Sequence, residues 1–82
     1  SARERLVLEL LIACRRFGKQ IKDSTCQLGM TESELAARAG LTRETVSREL
    51  QKLAREDILG VKQGSITITN IGKLQAILGK PL

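Results

Sequence analysis

The apolar positions first fall into a helical period. From Arg3 to about Lys19, Leu6, Leu10, Ala13 and Phe17 recur at spacings of three and four, with Val7, Leu11 and Cys14 beside them. Leu8 and Ile12 carry apolar surface further round. The spacing predicts a helix whose apolar stripe is broad enough to be covered on more than one side. Either it is a central core helix, or one side docks against a neighbouring domain outside this chain. The polar, mixed-charge stretch from Gly18 to Cys26 predicts an exposed loop, and Gln27 to Met30 a brief strand with Leu28 and Met30 turned inward.

Helix signals return at Thr31, which is followed three residues on by Glu34. That capping box predicts a helix from Glu32 to about Ala39, with Leu35, Ala36 and Ala39 inward. Gly40 suits the left-handed turn that stops it, Leu41 a buried plug in the turn, and Thr42 the cap of a helix running from Arg43 to near Asp57. Val46, Leu50 and Leu53 define the buried face of this third helix. The small side chain of Ala36 permits close crossing of the two helices, so the pair reads as a helix-turn-helix, although a plain helical hairpin within another fold shares these features.

The period then changes to two. Leu59 and Val61 alternate with Gly60 and Lys62, and Ile66 and Ile68 with Ser65, Thr67 and Thr69, predicting a hairpin with Gln63 and Gly64 at its tip. That tip sets Val61 opposite Ile66 and Leu59 opposite Ile68. Asn70 caps a last helix bearing Ile71, Leu74, Ile77 and Leu78, closed by Gly79 and Pro81. The fold class expected is mainly α: a winged helix-turn-helix of about four helices plus a two- to three-stranded antiparallel wing, one domain over residues 1–82.

Opposite Val46 the third helix presents Glu44, Arg48, Gln51 and Arg55, flanked by Ser47 and Lys52. These are planar donors and acceptors rather than apolar anchors. Arg43 and Arg48 can each offer a forked donor pair to guanine O6 and N7, and Glu44 can accept from cytosine N4 in a DNA major groove. The plainer alternative is an i,i+4 surface ion pair between Glu44 and Arg48. Between Thr42 and Asp57 acids and bases balance, so bulk charge alone does not hold this helix to DNA. Lys62 and Gln63 at the hairpin tip are placed to reach a phosphate.

The bulk numbers narrow the classes. The formal net charge is +5, which suits a polyanionic partner. Phe17 is the one aromatic residue, which disfavours single-stranded nucleic acid, held as it is by stacking. Cys14 and Cys26, with no histidine, make neither a metal site nor a disulfide framework and read as free thiols. No run approaches the roughly 20 apolar residues of a bilayer span, and no signal-peptide cleavage pattern follows Leu6 to Cys14. An enzyme is not expected, because no nucleophile has a base beside it and no phosphate-binding loop is present. A winged-helix protein-interaction module without DNA readout is the competing reading.

Thr42-Arg43-Glu44-Thr45-Val46-Ser47-Arg48, with the wing from Gly64 to Thr69, resembles the cyclic-AMP receptor / fumarate-nitrate regulator family of bacterial transcription factors. The resemblance implies a helix-turn-helix reader of double-stranded DNA. It implies base contacts at Arg43, Glu44 and Arg48, with Ser47 discriminating half-site sequence, on a TGA-containing half-site. It implies phosphate contacts at Thr31, Thr42, Thr45 and Lys62, and Lys52 and Gln63 join them by position. It further implies a homodimer formed through a long dimerisation helix, an N-terminal effector domain for a ligand such as a cyclic nucleotide, and a polymerase contact at residues 18–26. Neither the helix nor the effector domain is in this sequence, so the chain is expected to be the detached DNA-binding domain of a longer cytoplasmic, nucleoid-associated bacterial regulator, with no cofactor of its own. Two positions depart from the family's pattern. Glu32 stands where a basic or neutral residue would suit a phosphate, and Glu49 where an apolar residue is frequent, which predicts a more exposed helix edge.

Overall fold

The caps read from the sequence become the ends of the helices. A computed structural model describes residues 1–79, in the order α1 (Ala2–Phe17), β1 (Lys19–Lys22), β2 (Thr25–Leu28), α2 (Glu32–Ala39), α3 (Arg43–Arg55), β3 (Leu59–Lys62), β4 (Ser65–Ile68) and α4 (Ile71–Ile77). Thr31 caps α2 by accepting from the Glu34 N–H at 3.1 Å, and Gly40 closes it at φ 70° and ψ 35°. Thr42 caps α3 by accepting from the Thr45 N–H at 3.1 Å. α1 has a cap the periodicity did not reveal: Ser1 and Glu4 form a reciprocal capping box, so the helix starts one residue before Arg3. α3 stops at Arg55, short of Asp57, because Asp57 turns into positive φ (60°) and leads the chain into β3. Asn70 caps α4 through a 3.0 Å bond from the Lys73 N–H, and the closing Pro81 lies outside the described residues.

α1 is the central helix, packing against α2, α3, α4 and β2. Leu6, Val7 and Leu10 are completely buried, together with Leu28, Leu35, Val46, Leu50, Leu53, Ile68 and Leu74. Burying side chains of this size contributes roughly 1.5–3 kcal/mol each, which is what holds the four helices and the sheet as one body. The broad stripe on α1 is therefore largely internal, but not all of it. Phe17 is 53% exposed, because the buried part of the stripe ends at Ala13, a turn before the helix does; its ring instead lies 4.6 Å beneath the Arg38 guanidinium. Leu8 is also exposed, and Leu41 is half-buried against the core rather than a sealed plug.

The segment expected to be a loop from Gly18 to Cys26 is instead a hairpin. β1 and β2 pair antiparallel around a reversal at Asp23 and Ser24, the latter at φ 65°. All four β1 side chains are exposed, so no inward alternation marks the strand; backbone pairing to β2 alone defines it. The wing consequently belongs to a four-stranded antiparallel sheet in the order β1-β2-β4-β3, larger than the two or three strands expected. β2 meets β4 with Cys26 opposite Ile68 and Leu28 opposite Ile66. Within the wing, Leu59 faces Ile68 and Val61 faces Ile66, and Gly64 adopts φ 74° at the tip, which is the register the alternation required.

Glu49 does not make an exposed edge. Its side chain is only 15% accessible and lies between Arg3 Nη1 at 4.0 Å and Lys52 Nζ at 3.4 Å. Arg3 also grips Glu56, with Nη2 at 2.9 Å from both carboxylate oxygens. A charged residue is tolerated at this position because the first turn of α1 folds a guanidinium over it. The result is a clasp from the start of α1 to the middle and end of α3.

Candidate nucleic-acid interface

The exposed face of the domain is organised by the first turns of α2 and α3 and by the wing. The start of α3 is stiffened by hydroxyls: Thr42 Oγ1 donates to Thr45 Oγ1 at 2.9 Å, and Arg48 Nη2 donates to the same oxygen at 3.4 Å. That chain leans the Arg48 side chain back toward the helix N-terminus. Arg43, Glu44 and Arg48 are exposed and Ser47 is half-buried. All four, with Glu32 of α2, line one open groove.

A second groove adjoins it, running under the wing. Met30, Thr31, Glu32 and Ser33 form one wall, Val61, Lys62, Gln63, Gly64 and Ile66 the other, and Arg43 stands in it too. Glu32 and Arg43 are thus common to both grooves. The base-reading candidates and the wing-tip candidates are brought onto one continuous surface. Thr42 and Thr45 support it from the helix start, whereas Lys52 lies beyond both grooves with its ammonium 3.4 Å from Glu49. Thr31 lines the wing groove, but its hydroxyl is engaged locally, accepting from the Glu34 N–H and donating to Glu34 Oε1 at 3.1 Å.

The ion pairs among the described residues join Ser1 to Glu4, Arg3 to Glu49 and Glu56, and Lys52 to Glu49. Within that set Glu44 and Arg48 are not paired with each other, and neither Arg43 nor Lys62 is neutralised by a carboxylate within 4.0 Å. A polyanion approaching this face would meet guanidinium groups without first having to break an ion pair.

Two relations were out of reach of sequence reasoning. The Arg3 clasp spans 53 residues and leaves no local signal. Cys14 and Cys26 are both free thiols, and they meet over Gly18. Burial pushes the Cys14 thiol far above its ordinary range, and its hydrogen bond and electrostatic interaction with Cys26 add to the shift. Among the described residues no cluster of side chains suits a metal ion, and no helix is long and apolar enough to cross a membrane.

A helix-turn-helix followed immediately by a hairpin that shares its exposed groove defines a winged helix-turn-helix, a class built to lay a helix in a duplex groove. The chain belongs to the family of Crp-like helix-turn-helix domains, whose model matches residues 4–77. It is 35% identical over 80 residues to the fumarate and nitrate reduction regulatory protein of Salmonella typhimurium, covering 96% of this chain and 32% of that protein. The same regulator of Yersinia pestis is 34% identical over 82 residues, covering 99% of this chain and 33% of that protein. The chain therefore spans about a third of the length of these relatives. Among solved structures, a CRP/FNR-family transcriptional regulator from Thermus thermophilus superposes with a TM-score of 0.84 at 26% identity, over 98% of this chain and 41% of that one. A CooA mutant from Carboxydothermus hydrogenoformans gives a TM-score of 0.81 at 29% identity, over 94% of this chain and 36% of that one. The domain is a DNA-binding unit of transcription regulation, not an enzyme.

Proposed function

We propose that α3 enters the major groove of double-stranded DNA and reads a TGA-containing half-site. In this reading Arg43, Glu44, Ser47 and Arg48 address base edges, while the β3–β4 wing follows the backbone through Lys62 and Gln63. Thr31, Thr42 and Thr45 are assigned to backbone phosphates, and Lys52, beyond both grooves, to a phosphate further along the backbone. The observation that supports this best is the grouping of Arg43, Glu44, Ser47 and Arg48 on one open groove, with neither arginine paired to an acid among the described residues. Because each domain offers a single reading helix, two are needed for an operator. We therefore assign this chain to a longer, homodimeric cytoplasmic regulator whose effector binds a separate domain. The hairpin at residues 18–26, with exposed Lys19, Ile21 and Lys22, is the surface we assign to RNA polymerase.

The test is fluorescence anisotropy with the 82-residue chain on a TGA-containing duplex and on a scrambled duplex of equal length. Arg48→Ala should weaken binding to the first by about 5- to 150-fold, equivalent to one bidentate base contact, and leave the second almost unchanged. Lys62→Ala, as the contrast, should weaken both alike and flatten the salt dependence by about one unit of slope. Equal loss on both duplexes for Arg48→Ala would show a phosphate contact instead of a base contact.

A further inference from the structure

We infer that Glu32 is a backbone-repelling residue on the DNA face: its carboxylate subtracts from the domain's affinity for duplex phosphates of any sequence, so that charge alone holds a single domain less tightly on DNA. The inference rests on the DNA-binding reading above and concerns how that surface is tuned. Helix N-termini attract anions through their free N–H groups and dipole, and the start of α2 faces the groove beneath the wing. Here that attraction is already answered from within the chain. Glu32 and Glu34 occupy the first turn of α2, and both the N–H of Glu34 and the hydroxyl of Thr31 are engaged in the cap.

Glu34 is held in the cap by the Thr31 hydroxyl, but Glu32 is not. It is half-buried on a helix, which fixes its position, and it lines both grooves together with Arg43. Among the described residues no cation lies within 4.0 Å to neutralise it. A carboxylate so placed meets an incoming phosphate backbone as a like charge, and part of the attraction of Arg43 and Lys62 is cancelled. Non-specific binding to duplex DNA is almost wholly electrostatic, so this one charge acts on every sequence alike.

The experiment compares the wild-type chain with Glu32→Gln and Glu32→Lys on the TGA-containing and scrambled duplexes across a salt series, with helicity and urea midpoints measured in parallel. Glu32→Gln should tighten both duplexes by a similar factor, about 3- to 10-fold at low salt, and the gain should fade as salt rises. Glu32→Lys should tighten both further and steepen the log–log salt slope by about 0.9, one added phosphate neutralised. A role confined to the helix dipole would move the urea midpoint and leave DNA affinity unchanged, which overturns the inference while leaving the DNA reading intact. A loss confined to the TGA duplex would also overturn it, by making Glu32 a base contact. No duplex binding by any of the three proteins would remove the DNA reading itself and this inference with it.

Discussion

Gly18 sits where α1 hands the chain to β1, and replacing it with alanine tests how tightly that junction is packed. Its backbone is ordinary, φ −74° and ψ 149°, so alanine meets no torsional penalty there. The obstacle is space. A methyl group would collide with Cys26 Sγ and lie 2.6 Å from the Cys14 carbonyl oxygen and 2.9 Å from its Cα. Two of the three neighbours are backbone of the last turn of α1, pinned there by the Gly18 N–H, which donates to Ala13 O and Cys14 O at 3.1 Å each. Overpacking of this kind costs roughly 1–3 kcal/mol, and the stiffer unfolded chain of alanine returns about 0.4–1. Because two of the three clashes are with backbone, which cannot swing aside, the cost falls in the upper half of that range, about 2–3 kcal/mol. The net expectation for Gly18→Ala is a destabilisation of about 1–2.5 kcal/mol, or roughly 4–20 °C in Tm for a domain of this size. Urea unfolding measures it, provided the slope of the transition is unchanged. Adding Cys26→Ala removes the sulfur but not the backbone, so the double variant should show a favourable coupling of only about 0.5–1 kcal/mol. A Gly18→Ala protein within about 0.5 kcal/mol of wild type would refute the reasoning, since the junction would then yield without cost.

The Arg3 clasp predicts an asymmetry. Glu56→Ala removes an exposed carboxylate and should cost under about 0.5 kcal/mol, whereas Arg3→Ala also strips the guanidinium facing Glu49, whose buried Oε1 accepts no hydrogen bond from the described residues, and should cost about 1–2 kcal/mol. Equal losses in urea unfolding would mean that Glu49 does not depend on Arg3. The Cys14 thiol predicts a pH effect of definite sign. Its folded pKa is raised, so its contribution is whole below the ordinary value of 9.0 and is lost above it, as the unfolded chain ionises while the folded thiol keeps its proton. Stability should fall above about pH 9 by at most about 1.4 kcal/mol per pH unit from this group, less for its partial exposure, and Cys14→Ala should flatten the decline. Parallel curves for the two proteins would show that Cys14 is not the source.

The helices, the turn and the wing were legible because their signals are local. Thr31 with Glu34, Gly40, and Thr42 with Thr45 act within four residues, and the alternation of Leu59, Val61, Ile66 and Ile68 admits one register around Gln63 and Gly64. The row Glu44, Arg48, Gln51 and Arg55 followed from the same arithmetic, since burying Val46, Leu50 and Leu53 turns those side chains outward. Tertiary structure decided what local signals cannot carry. β1 has no buried side chain and exists only through pairing with β2, Phe17 leaves the core because the core ends before its helix does, and the Arg3–Glu56 contact joins distant parts of the chain. The proposed binding face is of the same kind. Glu32, Arg43 and Lys62 come from three separate elements, and only packing α1 against α2, α3 and the sheet makes them neighbours, because free energy summed over distant contacts has no trace in a window of adjacent residues.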